Sequence, residues 1–182
     1  MKSICVFLGS SPGNHSSYVE ATAILGRELA RRGMTCVYGG SCTGLMNTLA
    51  ETVLAAGGKI TGVTVQALKD KEEFHKGLTR LHVAATMHER KTMMITLSDA
   101  FVALPGGIGT YDEFFEVYTL RQLGFHKKPC GLLDVNGFYE PLKMMLRKAG
   151  QEGFMKQPYE EAIVVSPDPV EMLDLLIAKA AR

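Results

Sequence analysis

Glu113 and Glu116 stand three residues apart in "PGGIGTYDEFFE" (residues 105–116), directly after a bend built from one proline and three glycines. Side chains three apart on a helix are neighbours, and Thr119 follows at the same step, so the three can share one face. Two carboxylates beside the anomeric carbon of a sugar are the equipment of glycosidic hydrolysis. One stabilises the oxocarbenium-like transition state or activates water. The same residues also have a plainer reading. Thr110-Tyr111-Asp112-Glu113 is a capping box, in which the Thr110 hydroxyl takes the Glu113 N–H and the Glu113 side chain returns to the N–H of Thr110. Taken by itself the tetrad reads first as that cap, so chemistry at Glu113 depends on what the surrounding elements bring to it.

A sugar needs an anchor, and the glycines offer one for a phosphate. Glycine lets backbone N–H groups approach an anion, and a helix start adds unpaired donors and the favourable end of the dipole. Three loops have this character: "GSSPGN" (9–14, with Gly9 and Ser10 foremost), "GGSCTG" (39–44) and "PGGIGT" (105–110, supplying Gly106, Gly107, Ile108, Gly109 and Thr110). Two standard phosphate motifs are excluded. Gly39 to Gly44 has Walker A spacing, but Leu45-Met46 occupies the place of the required Lys-Ser/Thr. Gly107-Ile108-Gly109 begins a dinucleotide fingerprint, yet Asp112 stands where the third glycine allows close helix packing. A smaller ligand remains, such as a nucleoside monophosphate. Acids near a phosphate need a cation, and "MHERK" (87–91) supplies Arg90 and Lys91. Arginine can hold phosphate or carboxylate bidentately. As an isolated pair, the two read as a solvated helix face.

The elements that must position these residues follow from the apolar pattern. Strands are predicted at Ile4–Leu8, Thr35–Tyr38, Ile60–Val65, Leu78–Ala84, Ala100–Leu104, Cys130–Val135 and Ala162–Val165. Helices are predicted at Tyr18–Arg32, Leu45–Ala56, Met87–Ser98, Thr110–Leu123, Phe138–Lys148 and Pro169–Ala180. Lys69–Lys76 is charged and aperiodic and reads as a loop with a turn of helix at most. Continuously apolar strands alternating with helices indicate a doubly wound α/β fold, a parallel sheet with helices on both faces. There is no linker, low-complexity tract or repeat, so residues 1–182 read as a single domain. Ligands of such sheets sit beyond the carboxyl ends of the strands, where the strand order reverses.

Composition narrows the function classes. A net charge of +1 leaves no broad basic field for nucleic acid or an acidic membrane. Cys5, Cys36, Cys42 and Cys130 form no C-x-x-C pair and read as reduced thiols. "MKSICVFLGSSPG" is too short an apolar run for a signal peptide, and no run approaches the roughly 18 residues of a membrane span, so a cytoplasmic protein is expected. His15, His75, His82 and His126 lack metal spacing, and no metal is expected. His88 reads equally as polar filler at a helix start and as a residue with a role, Met87, Met93 and Met94 as a buried or subunit-facing stripe, and "HKKP" (126–129) as a basic turn, solvated or helping at the rim of the site.

Met87-His88-Glu89-Arg90-Lys91 followed by Pro105 to Glu113 resembles the Lonely Guy (LOG) family of cytokinin riboside 5′-monophosphate phosphoribohydrolases. Its paired signatures M-H-x-R-K and P-G-G-x-G-T-x-x-E both match without a gap. The resemblance runs from about Ser3 to the last helix and includes "GSSPG", "VYGG", "GLM" and "QLGFHKKPCGLLDVNGFYEPL". It implies a Rossmann-like fold, hydrolysis of an N-riboside 5′-monophosphate to free base and ribose 5-phosphate, and no metal or redox cofactor. It also implies a homodimer with active sites at the subunit interface, hexamers occurring among relatives. Carried onto matching positions, Arg90 and Glu113 become the catalytic pair. Lys91, Gly107, Gly109, Thr110 and Thr119 become substrate contacts, and Glu116 supports. Ser41 and Asn47 replace glycines of the family's second loop, and Leu8 stands where a cysteine is frequent; these departures fall at the ribose pocket. Members have often been labelled lysine decarboxylases, but no lysine here has a pyridoxal context. The rival readings are a nucleotide-binding sensor or carrier without turnover and a general purine-monophosphate nucleosidase.

Overall fold

Each strand alternates its side chains between two apolar faces, so both sides of the sheet must be covered. In the first strand, Ile4 and Val6 join one buried cluster while Cys5 and Phe7 join the other. The computed structural model describes residues 1–69, 74–156 and 158–181. Its elements run β1 (Ser3–Phe7), α1 (Ser16–Arg31), β2 (Thr35–Tyr38), α2 (Gly44–Ala55), β3 (Lys59–Val65), α3 (Gln66–Lys69), β4 (Arg80–Ala84) and α4 (Met87–Thr96). They continue with β5 (Ala100–Ala103), α5 (Ile108–Gln122), β6 (Cys130–Leu133), α6 (Glu140–Gln151), α7 (Tyr159–Ala162), β7 (Ile163–Ser166) and α8 (Pro169–Ala180).

Among the described residues the sheet has seven strands, all parallel, in the order β4-β3-β2-β1-β5-β6-β7. The chain winds outward from β1 to β4, then returns to lay β5 against the other side of β1. That return is the reversal at which a cleft opens. Leu25 and Leu29 of α1, Leu49 and Val53 of α2 and Leu173 and Leu176 of α8 fill one face. Met94 of α4, Phe114 and Val117 of α5 and Leu146 of α6 fill the other. Central β5 and β6 are buried throughout, whereas edge strand β4 is half-exposed.

The doubly wound α/β expectation holds, with local corrections. Helix α5 begins at Ile108 rather than Thr110, because extended Gly107 is its N-cap. Thr110 therefore lies inside the first turn, and the capping box expected there does not form. A cap of that kind sits instead on α4. Thr86 Oγ1 accepts from the Glu89 N–H at 3.1 Å, and Glu89 Oε2 accepts from the Ala85 N–H at 2.9 Å. Within the stretch read as a loop from Lys69 to Lys76, residues 70–73 lie outside the described residues. Phe74 forms an antiparallel bridge to Ser41, and the turn of helix is α3, which ends at Lys69, the first residue of the stretch. The helix expected from Phe138 starts at Glu140, since Asp134 Oδ1 takes the Tyr139 N–H at 2.7 Å and Asn136 adopts a left-handed φ of 56°. The "HKKP" turn is structural rather than merely solvated. Lys128 Nζ donates to the Ile95 carbonyl near the end of α4 at 2.7 Å, and Arg121 donates to the Lys127 and Lys128 carbonyls.

Among the described residues the four cysteines form no disulfide, and three of them, Cys5, Cys36 and Cys130, are buried. Burial pushes the Cys130 thiol up to about 12 and moves Cys5 and Cys36 in the same direction, so these sulfurs behave as small apolar groups. No described helix is long and apolar enough to cross a membrane.

Candidate active site

The loops leaving β1, β2 and β5 interlock through their backbones. The Gly9 N–H donates to the Pro105 carbonyl at 3.2 Å. Gly44, at φ 52°, presses against Ser10 so closely that a Cβ would stand 2.3 Å from the Ser10 carbonyl carbon. That approach is open to glycine alone. Beneath the third loop, the Tyr139 hydroxyl donates to the Leu104 carbonyl at 2.6 Å, and Lys143 Nζ pairs with Asp134 at 2.8 Å. These buried contacts fix the chain just before Pro105.

Between the loops lies a cleft of about 280 Å³. Gly107, Ile108, Gly109 and Thr110 form one wall, which is the amino-terminal turn of α5. The first bond of that turn runs from the Tyr111 N–H to the Gly107 carbonyl at 3.2 Å. The preceding N–H groups have no partner further back in the helix and are donors for an anion. Among the described residues, a Cβ on Gly107 or Gly109 would meet no atom within 4 Å beyond its chain neighbours and its own helix backbone. Their bareness therefore leaves room for a ligand and serves no packing need of the chain. Gly9 and Ser10 line the floor.

Arg90 and Glu113 face each other across the cleft's inner end. Arg90, 8% exposed, donates from Nε to the Val63 carbonyl at 2.9 Å, and its Nη1 meets Glu113 Oε1 at 2.9 Å. The two donors of one planar group thus tie the end of β3 to α5. Burial pushes the Glu113 carboxyl above its ordinary value, and the Arg90 guanidinium pulls it back. A carboxylate held between these influences in a cleft has the character of a functional group. One residue further on, Lys91 Nζ pairs with Glu116 at 2.6 Å and with Asp112 at 3.1 Å.

The structure thus brings Gly9, Ser10, Arg90, Gly107, Ile108, Gly109, Thr110 and Glu113 around one cleft. Gly106 lies behind it, in an adjoining recess of about 260 Å³ shared with Tyr18 and Phe138. Glu116 and Lys91 sit beside the cleft, engaged with each other. Thr119 is exposed and is not among the residues that line it. Sequence reasoning missed Gly39, Met46, Leu68 and Phe74 as lining residues, and raised Leu8 and Ser41 only as departures. Gly39 and Met46 belong to or adjoin a loop already marked by its glycines. Phe74 comes from the charged, aperiodic stretch and Leu68 from the four-residue α3 before it, and neither carried a signal. Among the described residues no group of three or more His, Cys, Asp or Glu is placed to hold a metal ion.

A family profile described as "Possible lysine decarboxylase" matches residues 46–176. No lysine is among the described residues lining the cleft. The chain is 45% identical to the cytokinin riboside 5′-monophosphate phosphoribohydrolase of Rhodococcoides fascians, over 92% of this chain and 85% of that protein. It is 41% identical to the enzyme of that name designated LOG2 from Arabidopsis thaliana, over 95% of this chain and 81% of that one. Among solved structures, TM1055 superposes with a TM-score of 0.74 at 23% identity, covering 98% of this chain and 99% of that one. The molybdenum cofactor carrier protein of Chlamydomonas reinhardtii superposes with a TM-score of 0.73 at 19% identity, covering 97% and 98%. At those identities the two structures attest the fold alone.

Proposed function

The chain belongs to the family of cytokinin riboside 5′-monophosphate phosphoribohydrolases, and from that premise we propose that it hydrolyses the N-glycosidic bond of N6-substituted adenosine 5′-monophosphates and of AMP itself. The products are free base and ribose 5-phosphate. The observation that carries the reading is the Arg90–Glu113 pair at 2.9 Å, set one helical turn from the unpaired N–H groups of Gly107–Thr110. In the proposed reaction the 5′-phosphate docks on those donors. The C1′–N9 bond breaks and its electron pair leaves with the base. Glu113, as carboxylate, faces the developing positive charge on the ribose and takes a proton from the water whose oxygen bonds to C1′. The base takes up a proton from solvent as it leaves and Glu113 returns its proton to solvent, so nucleotide plus water gives base plus ribose 5-phosphate. Arg90 orients Glu113. The pair also speaks against a carrier without turnover, which gains little from a carboxylate near phosphate.

A homodimer with its active sites at the subunit interface is part of the proposal. Ile108 at the cleft mouth is 81% exposed, and Met87 at the start of α4 is 42% exposed, and a second subunit would cover such groups. The direct test is incubation with N6-isopentenyl-AMP, AMP, GMP and CMP, with the free base followed chromatographically. Release from the isopentenyl compound is expected. Intact nucleotide in all four reactions, from folded protein, overturns the reading.

Gly39 gives a sharper expectation. A Cβ there would stand 2.8 Å from Arg90 Nη2 and 3.3 Å from Met46 Sδ, both ends of flexible side chains. Its backbone is outside the left-handed region, so alanine is conformationally allowed. Gly39→Ala is expected to cost at most the roughly 1–3 kcal/mol of the Arg90–Val63 bond, and less if the guanidinium shifts without breaking it. The displaced guanidinium should lower kcat about tenfold or more, since small misplacements at a reacting centre reach 100-fold. A thermal melt alongside the base-release assay separates the two effects.

A further inference from the structure

Helix α4 presents two consecutive cations, Arg90 and Lys91, to three acids of α5: Asp112, Glu113 and Glu116. Asp112 and Glu116 are four apart and share one face, while Glu113 is turned away from it toward Arg90. Lys91 reaches both members of that face, with Glu116 at 2.6 Å and Asp112 at 3.1 Å, and its side chain is 16% exposed. A compact ammonium with three donors can serve two carboxylates at once. The family resemblance implies a substrate contact for this lysine, yet here its ammonium is committed to the helix beside it.

We propose that Lys91 is a positioning residue that takes up the negative charges of Asp112 and Glu116 on the flank of Glu113, leaving Arg90 to engage Glu113 alone. The inference rests on Glu113 acting as a carboxylate in the reaction proposed above. Without Lys91, three acids would face a single cation. Among the described residues, the titratable and charged groups around Glu113 are Cys5 from β1, Arg90 and Lys91 from α4, and Asp112 on its own helix, with Glu116 sharing a small recess with Glu113 and Lys91. Cys5 is a buried thiol raised well above its ordinary value and contributes no charge near neutrality. Burial raises the Glu113 carboxyl, Arg90 and Lys91 lower it, and Asp112 raises it. Removing Lys91 deletes a lowering influence and exposes Glu113 to the uncompensated charge of its neighbours.

Activity that needs the Glu113 carboxylate is lost as pH falls through its pKa. Lys91→Met is therefore expected to move the acid limb of the kcat profile upward by about one pH unit. The 13C titration of the Glu113 carboxyl, assigned by its absence in Glu113→Gln, should move equally. Lys91→Arg should leave the limb in place, and Lys91→Met with Glu116→Gln should bring it back. Glu116→Gln alone, which does not depend on the lysine variant folding, should move the limb downward. A rise in KM with both limb and titration unmoved makes Lys91 a phosphate contact and overturns the proposal. A lower melting temperature with an unmoved titration makes it a pin between helices and overturns it equally. If the carboxyl titration shifts as stated while no variant, nor the parent, releases base, the charge coupling stands and the functional reading falls.

Discussion

Glu113→Gln is expected to lower kcat for base release by about 100- to 10,000-fold, the range a positioned acid–base group contributes. The substitution keeps the shape of the side chain, and the amide oxygen can still accept from Arg90 Nη1, whose present distance is 2.9 Å. Helix initiation is untouched, because α5 begins at Ile108 with Gly107 as its cap and Glu113 lies inside the helix. Glutamine and glutamate have nearly equal helix propensity. What disappears is the negative charge and the ability to take a proton. The parent's kcat should fall on the acid side as pH drops through a pKa that burial holds above the ordinary carboxylate value, and the variant should lack that limb. A folded Glu113→Gln protein that releases base at near the parental rate would reduce Glu113 to a structural partner of Arg90.

Much of the fold could be read from sequence because the strands are short, continuously apolar runs separated by glycine-rich turns. Their number and parallel sense followed, and so did the glycine loops at their carboxyl ends. The places that failed have physical reasons. Thr110 and Glu113 have the spacing of a capping box, but the backbone turns into the helix at Ile108. Thr110 is then buried with its hydroxyl against Gly106, where a Cβ would lie 2.1 Å from Oγ1. Tertiary packing outweighed the local signal. Thr119 was placed on the face of Glu113 by counting in threes, yet each step of three falls about 60° short of a full turn. Two steps carry Thr119 about 120° around the helix, away from the cleft. The short helices α3 and α7 span four residues each, too few for a period to register. Phe74 reaches the cleft from a stretch without pattern and Leu68 from the four-residue α3, and the steric demand of Gly39 is set by Arg90, far along the chain. Sequence can show which residues are equipped for chemistry. It shows poorly which bare or apolar residues shape the space around them.

That distinction is sharpest at Arg90, where Arg90→Lys is expected to lower kcat about 100-fold and to destabilise the fold as well. The guanidinium serves two partners in different directions, the Val63 carbonyl through Nε and Glu113 through Nη1, each at 2.9 Å. A lysine keeps the charge but has one ammonium at the end of a flexible stem and cannot span both. Losing the bond to Val63 costs about 1–3 kcal/mol if the carbonyl stays buried without a donor. At about 2–4 °C per kcal/mol for a domain of this size, the melting temperature should fall by a few degrees to about ten. Losing the fixed contact to Glu113 frees that carboxylate to leave the geometry in which it faces the ribose, and small displacements of that kind carry large rate penalties. The two effects separate this variant from Glu113→Gln, which should cost rate with little stability. Measured together by thermal melt and base release, a lysine variant that keeps more than about a tenth of the parental kcat would show that charge alone suffices at this position. The two-partner geometry of the guanidinium, and with it the need for a bare Gly39 beside it, would then have no part in the reaction.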